Sequence, residues 1–168
     1  MRLQLKNVYF SERLSQETNA FAADVYLDNR KFATAENDGH GGPTLVMSLH
    51  KKDELFNEAV KYAKNSPDIQ TKFLNEDGLP VTYASNLENQ VDNMLVEWLE
   101  RKQLVKNSRK GLYIEDKVKN RFLISWNLPM NKLLAHPKGK DIVKEAIAKK
   151  KKEGYIILNN NLGSLLAK

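Results

Sequence analysis

The N-terminal part of the chain alternates between apolar and polar residues, as a strand with one buried face does. Residues 2–10 show this alternation, and it returns more clearly in residues 21–27. Asp28 and Asn29 tolerate the backbone angles of a tight turn, so we expect a hairpin whose return strand is residues 31–36. The pattern therefore predicts N-terminal strands that form an antiparallel sheet.

Apolar residues at helical spacing predict two or three helices, at about 52–64, 86–106 and 138–152. The strongest of these signals begins at Ser85, because Ser85 and Glu88 form a capping-box pattern ahead of an apolar stripe. We expect this helix to end near Lys106, since the polar segment 107–111 contains residues that interrupt helices. The stripe is typical of core packing against a sheet.

Two short apolar runs near residues 112–126 flank a charged segment and predict a second hairpin. Residues 155–158 read as a last buried strand. Residues 69–85 show no clear pattern apart from a surface loop at 75–80. Together these elements indicate an α+β fold in which a small, mostly antiparallel sheet packs against the helices.

The length of 168 residues fits a single α+β domain, 1–168, with a possible subdivision into a β-rich part, 1–50, and a helical part with the second hairpin, 51–168. The absence of cysteine excludes disulfides and thiolate metal sites and fits a reducing compartment. No apolar run approaches the roughly 20 residues of a membrane span. We therefore expect a cytoplasmic protein without a membrane partner.

Residues 37–43 are the most unusual stretch, because three glycines surround one histidine directly after a predicted strand. Glycine amides can converge on an anion such as a phosphate-containing ligand. His40 could move a proton, with Asp38 to orient it, or it could simply close a tight turn. The loop lacks the following helix of known phosphate motifs. The candidate ligand-binding residues are Asn37, Asp38, Gly39, His40, Gly41 and Gly42.

Metal sites and catalytic motifs receive less support from the sequence. The other histidines, His50 and His136, are at no metal-binding spacing from His40, so we expect neither a metal nor a cofactor. No hydrolase or metalloprotease motif is present, and we assign no catalytic residue. A binding protein is therefore a better hypothesis than an enzyme.

The formal net charge of +6 favours an acidic partner or nucleic acid. Cations cluster around the end of the predicted long helix and in the run Lys149–Lys152. They could contact nucleic acid, or they could stabilise helix C-termini through the macrodipole. The candidate nucleic-acid-binding residues are Arg101, Lys102, Lys106, Arg109 and Lys110.

Several N-terminal segments together resemble a known group of proteins. They are Asn-Val-x-x-Ser-Glu at 7–12, Glu-Thr-Asn-Ala-Phe at 17–21, Val-Tyr-Leu-Asp at 25–28, and Asn-Asp-Gly-His-Gly-Gly at 37–42. This part of the chain resembles the N-terminal part of a family of small uncharacterised bacteriophage and prophage proteins. The resemblance covers about the first 50 residues. It implies a phage-encoded protein in the host cytoplasm and supplies no catalytic residue.

Three hypotheses about function follow. The first is a non-enzymatic phage accessory protein that binds a host protein or nucleic acid, for example as an inhibitor of a host defence system. The second is a protein or enzyme that binds a nucleotide or another phosphate ligand through the glycine-rich loop and His40. The third is a nucleic-acid-binding protein. An exposed strand edge in the N-terminal hairpin would also allow a homodimer.

Overall fold

The computed structural model describes residues 1–163, and the chain divides into two compact units, Met1–Glu97 and Trp98–Lys168. This boundary falls inside the longest helix. It does not fall near residue 50, where the sequence suggested a possible subdivision. Helices and antiparallel strands are both present, which confirms the α+β class. The described strands divide among three sheets.

The first unit is built on a four-stranded antiparallel sheet with the strand order β1-β2-β3-β4. Its strands are β1 (Leu3–Phe10), β2 (Phe21–Leu27), β3 (Arg30–Asn37) and β4 (Leu45–Ser48). The predicted hairpin is formed by β2 and β3, which turn at Asp28 and Asn29 with φ angles of 47° and 67°. Both hairpin strands are central in this sheet, so the edge that would allow a homodimer does not lie in the hairpin itself. The two edges are β1 and β4.

Helix α1 (Glu54–Lys64) confirms the helix predicted at 52–64. Asp53 caps its N-terminus, because the carboxylate accepts a hydrogen bond from the Phe56 amide at 3.2 Å. The Phe56 ring meets the ring of Phe32 edge to face, with the centroids 6.0 Å apart. This contact and the buried side chains of Ala59 and Ala63 anchor the helix in the core of the unit.

Residues 69–85, which the sequence left without an assignment, form a two-stranded sheet of β5 (Ile69–Leu74) and β6 (Pro80–Tyr83). The strands escaped prediction because apolar and polar residues do not alternate regularly along them: Phe73 and Leu74 are adjacent, and both are exposed. Asn75 closes the turn between them, since its side chain accepts hydrogen bonds from the amides of Asp77 and Leu79.

Helix α2 (Leu87–Lys110) differs from the prediction at both ends. The capping residue is Asn86 and not Ser85, because the Asn86 side chain accepts a hydrogen bond from the Asn89 amide at 2.7 Å. The Ser85 hydroxyl instead donates to the carbonyl of Ala63 at 2.6 Å. The helix also continues through residues 107–110, which were expected to break it.

The second unit has a three-stranded antiparallel sheet in the order β8-β7-β9, with two helices. Its elements are β7 (Gly111–Glu115), β8 (Arg121–Ser125), α3 (Met130–Leu134), α4 (Pro137–Lys152) and β9 (Ile156–Ile157). These confirm the second hairpin, the third helix and the presence of a last strand. The prediction that this strand is buried was wrong, because Ile156 is 54% exposed. Strand β7 is central and buried along its whole length. The core of this unit is formed by Leu112, Ile114, Met130, Leu133, Val143, Ile147 and Leu162.

A buried asparagine explains why α2 reaches Lys110. The Asn159 side chain accepts a hydrogen bond from the Tyr113 amide at 2.7 Å and donates one to the carbonyl of Gly111 at 2.8 Å. Asn161 donates to the carbonyl of Ser108, also at 2.8 Å. The carbonyl of Ser108 in the last turn of the helix therefore has a donor, and the two Asn159 contacts hold the start of β7 directly after the helix. This role of the polar segment after β9 was not predicted from the sequence.

Candidate functional site

The glycine-rich loop after β3 is closed by the side chain of Asn37. The side-chain nitrogen Nδ2 of Asn37 donates a hydrogen bond to the carbonyl of Gly42 at 2.9 Å. The side-chain oxygen Oδ1 of Asn37 accepts one from the Thr18 hydroxyl at 2.8 Å. The same oxygen also accepts from the Gly39 amide at 2.9 Å. Asn37 is therefore the centre of a hydrogen-bond network that joins the two ends of the loop.

Three of the loop amides that were candidates for anion binding, those of residues 39–41, already have acceptors within the chain. Besides the Gly39 amide, the His40 amide donates to the Asp38 carboxylate at 3.0 Å, and the Gly41 amide donates to the Thr18 hydroxyl at 3.3 Å. An anion would have to displace all of these oxygen atoms. The ligand-binding role of the loop stays a prediction, and the geometry favours the tight-turn interpretation.

Gly39 is required by the fold of the loop itself. It has a φ angle of +89°, and a side chain at this position would collide with the carbonyl of Leu14. Its own carbonyl accepts hydrogen bonds from three successive amides, those of residues 16–18. This arrangement fixes the loop against the segment between β1 and β2, and it accounts for the glycine without a ligand.

His40 lies on the surface with 57% of its side chain exposed, and the Asp38 side chain is 76% exposed. The His40 Nδ1 atom is 3.5 Å from the nearer Asp38 oxygen. The hydrogen bond from the His40 amide lowers the pKa of the Asp38 carboxyl. Within residues 1–163, no group of three or more His, Asp or Glu side chains could hold a metal ion.

One polar contact of this region was not found from the sequence. Thr44, which follows the loop, is buried and donates a hydrogen bond from its hydroxyl to the Asp92 carboxylate of α2 at 2.5 Å. Burial raises the pKa of the Asp92 carboxyl, against the opposite effect of the Thr44 hydrogen bond. The loop is thus linked to α2 through a half-buried carboxylate.

We expect Asp92→Asn to stabilise the protein at pH 7. A folded-state pKa above the unfolded value, about 3.9, means that Asp92 contributes stability below that value and loses it as the pH rises through the folded-state pKa. The asparagine oxygen can still accept from Thr44 and carries no charge. Urea denaturation should show a gain for the variant at pH 7 that shrinks towards pH 3.5.

The exposed Asp77, in the turn between β5 and β6, provides the matched control for this experiment. Asp77→Asn changes the charge of the same unit equally, but its side chain is solvated. Its stability should therefore show no comparable gain at pH 7. A loss of stability for Asp92→Asn at pH 7, or a gain that does not depend on pH, would contradict the assignment.

The five candidate nucleic-acid-binding residues lie on one face of α2. Their spacing along the helix brings them into two adjacent rows, and all five side chains are exposed. Trp98 and Val105 lie on the same face, half-buried, and the Lys102 ammonium is 4.7 Å from the centre of the Trp98 ring. The basic face comprises Trp98, Arg101, Lys102, Val105, Lys106, Arg109 and Lys110, which line one shallow surface groove.

The cations of the basic face are not neutralised by neighbouring carboxylates. Across the part of the chain that the structure describes, none of the five forms an ion pair. Other cations of the second unit do: Arg121 and Lys119 contact the buried Glu115, and Lys150 contacts Glu153. The basic face is therefore a concentration of uncompensated positive charge.

The helix macrodipole does not account for the whole basic face. Its effect on side chains is confined to about the last turn of a helix. Because α2 ends at Lys110, Arg101 and Lys102 lie two turns or more before its C-terminus. Helix-end stabilisation thus explains Arg109 and Lys110 at most. The sequence predicted that the helix ends near Lys106. With that end, the cations stabilised by the helix terminus could not be distinguished from the others.

Charge is distributed very unevenly between the two units. Residues 98–168 carry 17 of the 27 Lys and Arg but only 6 of the 21 Asp and Glu, a net charge of +11. Residues 1–97 carry 10 Lys and Arg and 15 Asp and Glu, a net charge of −5. The total of +6 hides this division. The uneven charge can be counted from the sequence, but only after the boundary between the units is known to lie inside α2.

Two tyrosines lie near these cations in the sequence, and both are engaged in other contacts. Tyr113 is buried in β7. The Tyr155 ring contacts Phe122 edge to face, with the Lys150 ammonium 5.0 Å from its centre. Trp98 is instead the aromatic residue of the basic face, and a tryptophan there can stack on a base.

Comparisons with known proteins add no family, relative or structural neighbour to these observations. No protein-family model, no curated protein and no solved structure matches the chain. No helix within residues 1–163 combines the length and the apolar character needed to cross a membrane.

Proposed function

We propose that the protein binds nucleic acid, and that the basic face of α2 contacts its phosphate backbone. The observation that carries the proposal is the set of five exposed cations on one helix face, none of which forms an ion pair within residues 1–163. The net charge of +11 on residues 98–168 would add long-range attraction for a polyanion. This is the third of the hypotheses drawn from the sequence.

The dimensions of the basic face fit a phosphate backbone. Arg101 and Lys110 are nine residues apart, which is about 14 Å along a helix. Measured along the axis of a duplex, where each strand carries one phosphate per about 3.4 Å, this length spans about four phosphates of one strand. Arg101 and Arg109 can each hold a phosphate with two parallel hydrogen bonds, whereas the lysines act as point charges. Contacts of this kind position a protein without reading the base sequence.

The broader hypothesis of a phage accessory protein that binds a host macromolecule stays a prediction, and nucleic acid is one of the partner classes that it names. The glycine-rich loop contributes no contact to the proposed interface. His40 and the loop amides are accordingly not part of the function proposed for the basic face.

Fluorescence anisotropy with labelled oligonucleotides tests the proposal through its salt dependence. If all five cations engage phosphates, log K should fall with log salt with a slope of about −4.5 on duplex DNA and about −3.5 on a single strand. Two oligonucleotides of unrelated sequence should bind with affinities within about threefold of each other. Absence of binding at 50 mM salt, or a slope near zero, would reject the proposal.

A further inference from the structure

The two edges of the four-stranded sheet differ in how they are protected. β1 is interrupted by an irregularity between Lys6 and Tyr9, with Asn7 at a φ angle of 51°. Bulges and edge lysines are devices that prevent a sheet edge from pairing with another strand. β4 has neither: its register with β3 is continuous, and residues 45–48 carry no charge, proline or glycine.

The outer side of β4 offers backbone groups for pairing. The Leu49 amide donates to the carbonyl of Phe32 in β3 at 3.1 Å. Because backbone groups alternate in direction along an antiparallel strand, the groups of Leu45, Met47 and Leu49 point towards β3. The N–H and C=O groups of Val46 and Ser48 therefore point away from the sheet, where another strand could pair with them.

The side chains on one face of this edge are apolar and exposed. Leu45, Met47 and Leu49 are 53%, 44% and 42% exposed, and they share a face because side chains alternate along a strand. An exposed apolar edge strand of this kind is a ready template for pairing with another chain.

We propose that β4 pairs with β4 of a second copy of this chain, antiparallel, around a two-fold axis at Met47. In this register Met47 lies opposite Met47 of the second copy, and Leu45 lies opposite Leu49 of that copy. Val46 and Ser48 lie opposite each other as hydrogen-bonded pairs, which uses every outward backbone group of the two residues. The result is one continuous eight-stranded sheet with an isologous interface.

Charge complementarity selects a second copy as the occupant. The exposed Lys51 and Lys52 follow β4 at one end, before Asp53, whose carboxylate is engaged by the Phe56 amide and the Ser48 hydroxyl, and Glu54 in the first turn of α1. The exposed Glu36 and Asp38 lie beside the other end of β4. The two-fold axis brings the basic end of each copy to the acidic end of the other, so both ends gain opposite charges. A strand from an unrelated protein would have no reason to carry complementary charges at both ends. If such a strand were the partner of β4, the purified chain would stay monomeric in the experiment below.

Sedimentation equilibrium of the full chain over a concentration series tests the dimer. The wild-type mass should rise from 19.3 kDa towards twice that value. Met47→Lys places two ammonium groups opposite each other and should raise the dimer dissociation constant at least tenfold. Tyr9→Lys, on the same sheet face at the β1 edge, should behave as the wild type. A wild type that stays monomeric, or an equal effect of the two variants, would overturn the proposal.

Engineered cysteines test the register, because the chain has no cysteine of its own. Met47→Cys should oxidise to a covalent dimer, since the two thiols face each other across the two-fold axis. Leu45→Cys alone should cross-link much less than the double variant Leu45→Cys/Leu49→Cys. Equal cross-linking of Met47→Cys and Tyr9→Cys would indicate random collision, and it would overturn the proposed pairing even if a variant changed stability.

Discussion

Replacing both Lys106 and Arg109 by glutamate is expected to weaken nucleic-acid binding on the order of 100-fold or more at about 100 mM salt. The change removes two of five cations from the basic face and adds two anions, so that its local charge falls from +5 to +1. Both side chains are exposed and form no ion pair in residues 1–163, so the fold should be retained, with a cost of about 1 kcal/mol for the anion in the last turn of α2. Anisotropy titrations measure the loss directly.

The slope of log K against log salt should also decrease in this variant. With three cations left, its magnitude should not exceed about 2.7 on duplex DNA. Circular dichroism should show the wild-type helix content, because glutamate is as good a helix former as lysine and arginine.

Lys61→Glu/Lys64→Glu provides the matched control. These two lysines are exposed on α1, in the unit that carries the net negative charge, and their reversal changes the charge of the chain by the same amount. We expect binding within about threefold of the wild type. An equal loss in both double variants would show that net charge alone drives binding and would contradict an interface on α2.

Asn159→Ala is expected to cost about 2–4 kcal/mol of the free energy of unfolding. The substitution leaves the buried Tyr113 amide without its acceptor and the carbonyl of Gly111 without its donor. Both groups lie where α2 ends and β7 begins. Urea denaturation of the variant and the wild type measures the difference.

Two further substitutions separate this network from the mere loss of an amide. Asn160→Ala changes an exposed neighbour and should stay within about 0.5 kcal/mol of the wild type. Asn159→Asp keeps an acceptor for Tyr113 but has no N–H for Gly111, so it should also be destabilised. If Asn159→Ala were as stable as Asn160→Ala, the network would not be what holds the end of α2.

Elements whose pattern reflects their own burial were predictable from the sequence. In β2 every second residue is buried, and the helix at 54–64 has one buried face behind an Asp cap, so local spacing was sufficient. The end of α2 was not predictable in this way. The donors to the carbonyls of Ser108 and Gly111 come from Asn161 and Asn159, about 50 positions away, and nothing local to the helix end indicates them.

The candidate site shows the same limit. The glycine-rich loop attracted attention through its composition, but the composition serves a loop whose amides bond to Thr18, Asn37 and Asp38. The residues of the basic face were identified correctly as a cluster of cations. The true end of α2 was needed to distinguish them from helix-end charges. The structure was needed to show that they have no carboxylate partner among residues 1–163.

Mapping of amide and indole chemical shifts during titration with an oligonucleotide tests the central claim most directly. We predict shift changes at the Trp98 indole and at the amides of residues 98–110, with the loop 37–43 unaffected. Shift changes that centre on the loop and His40 and leave residues 98–110 unchanged would contradict the proposed function.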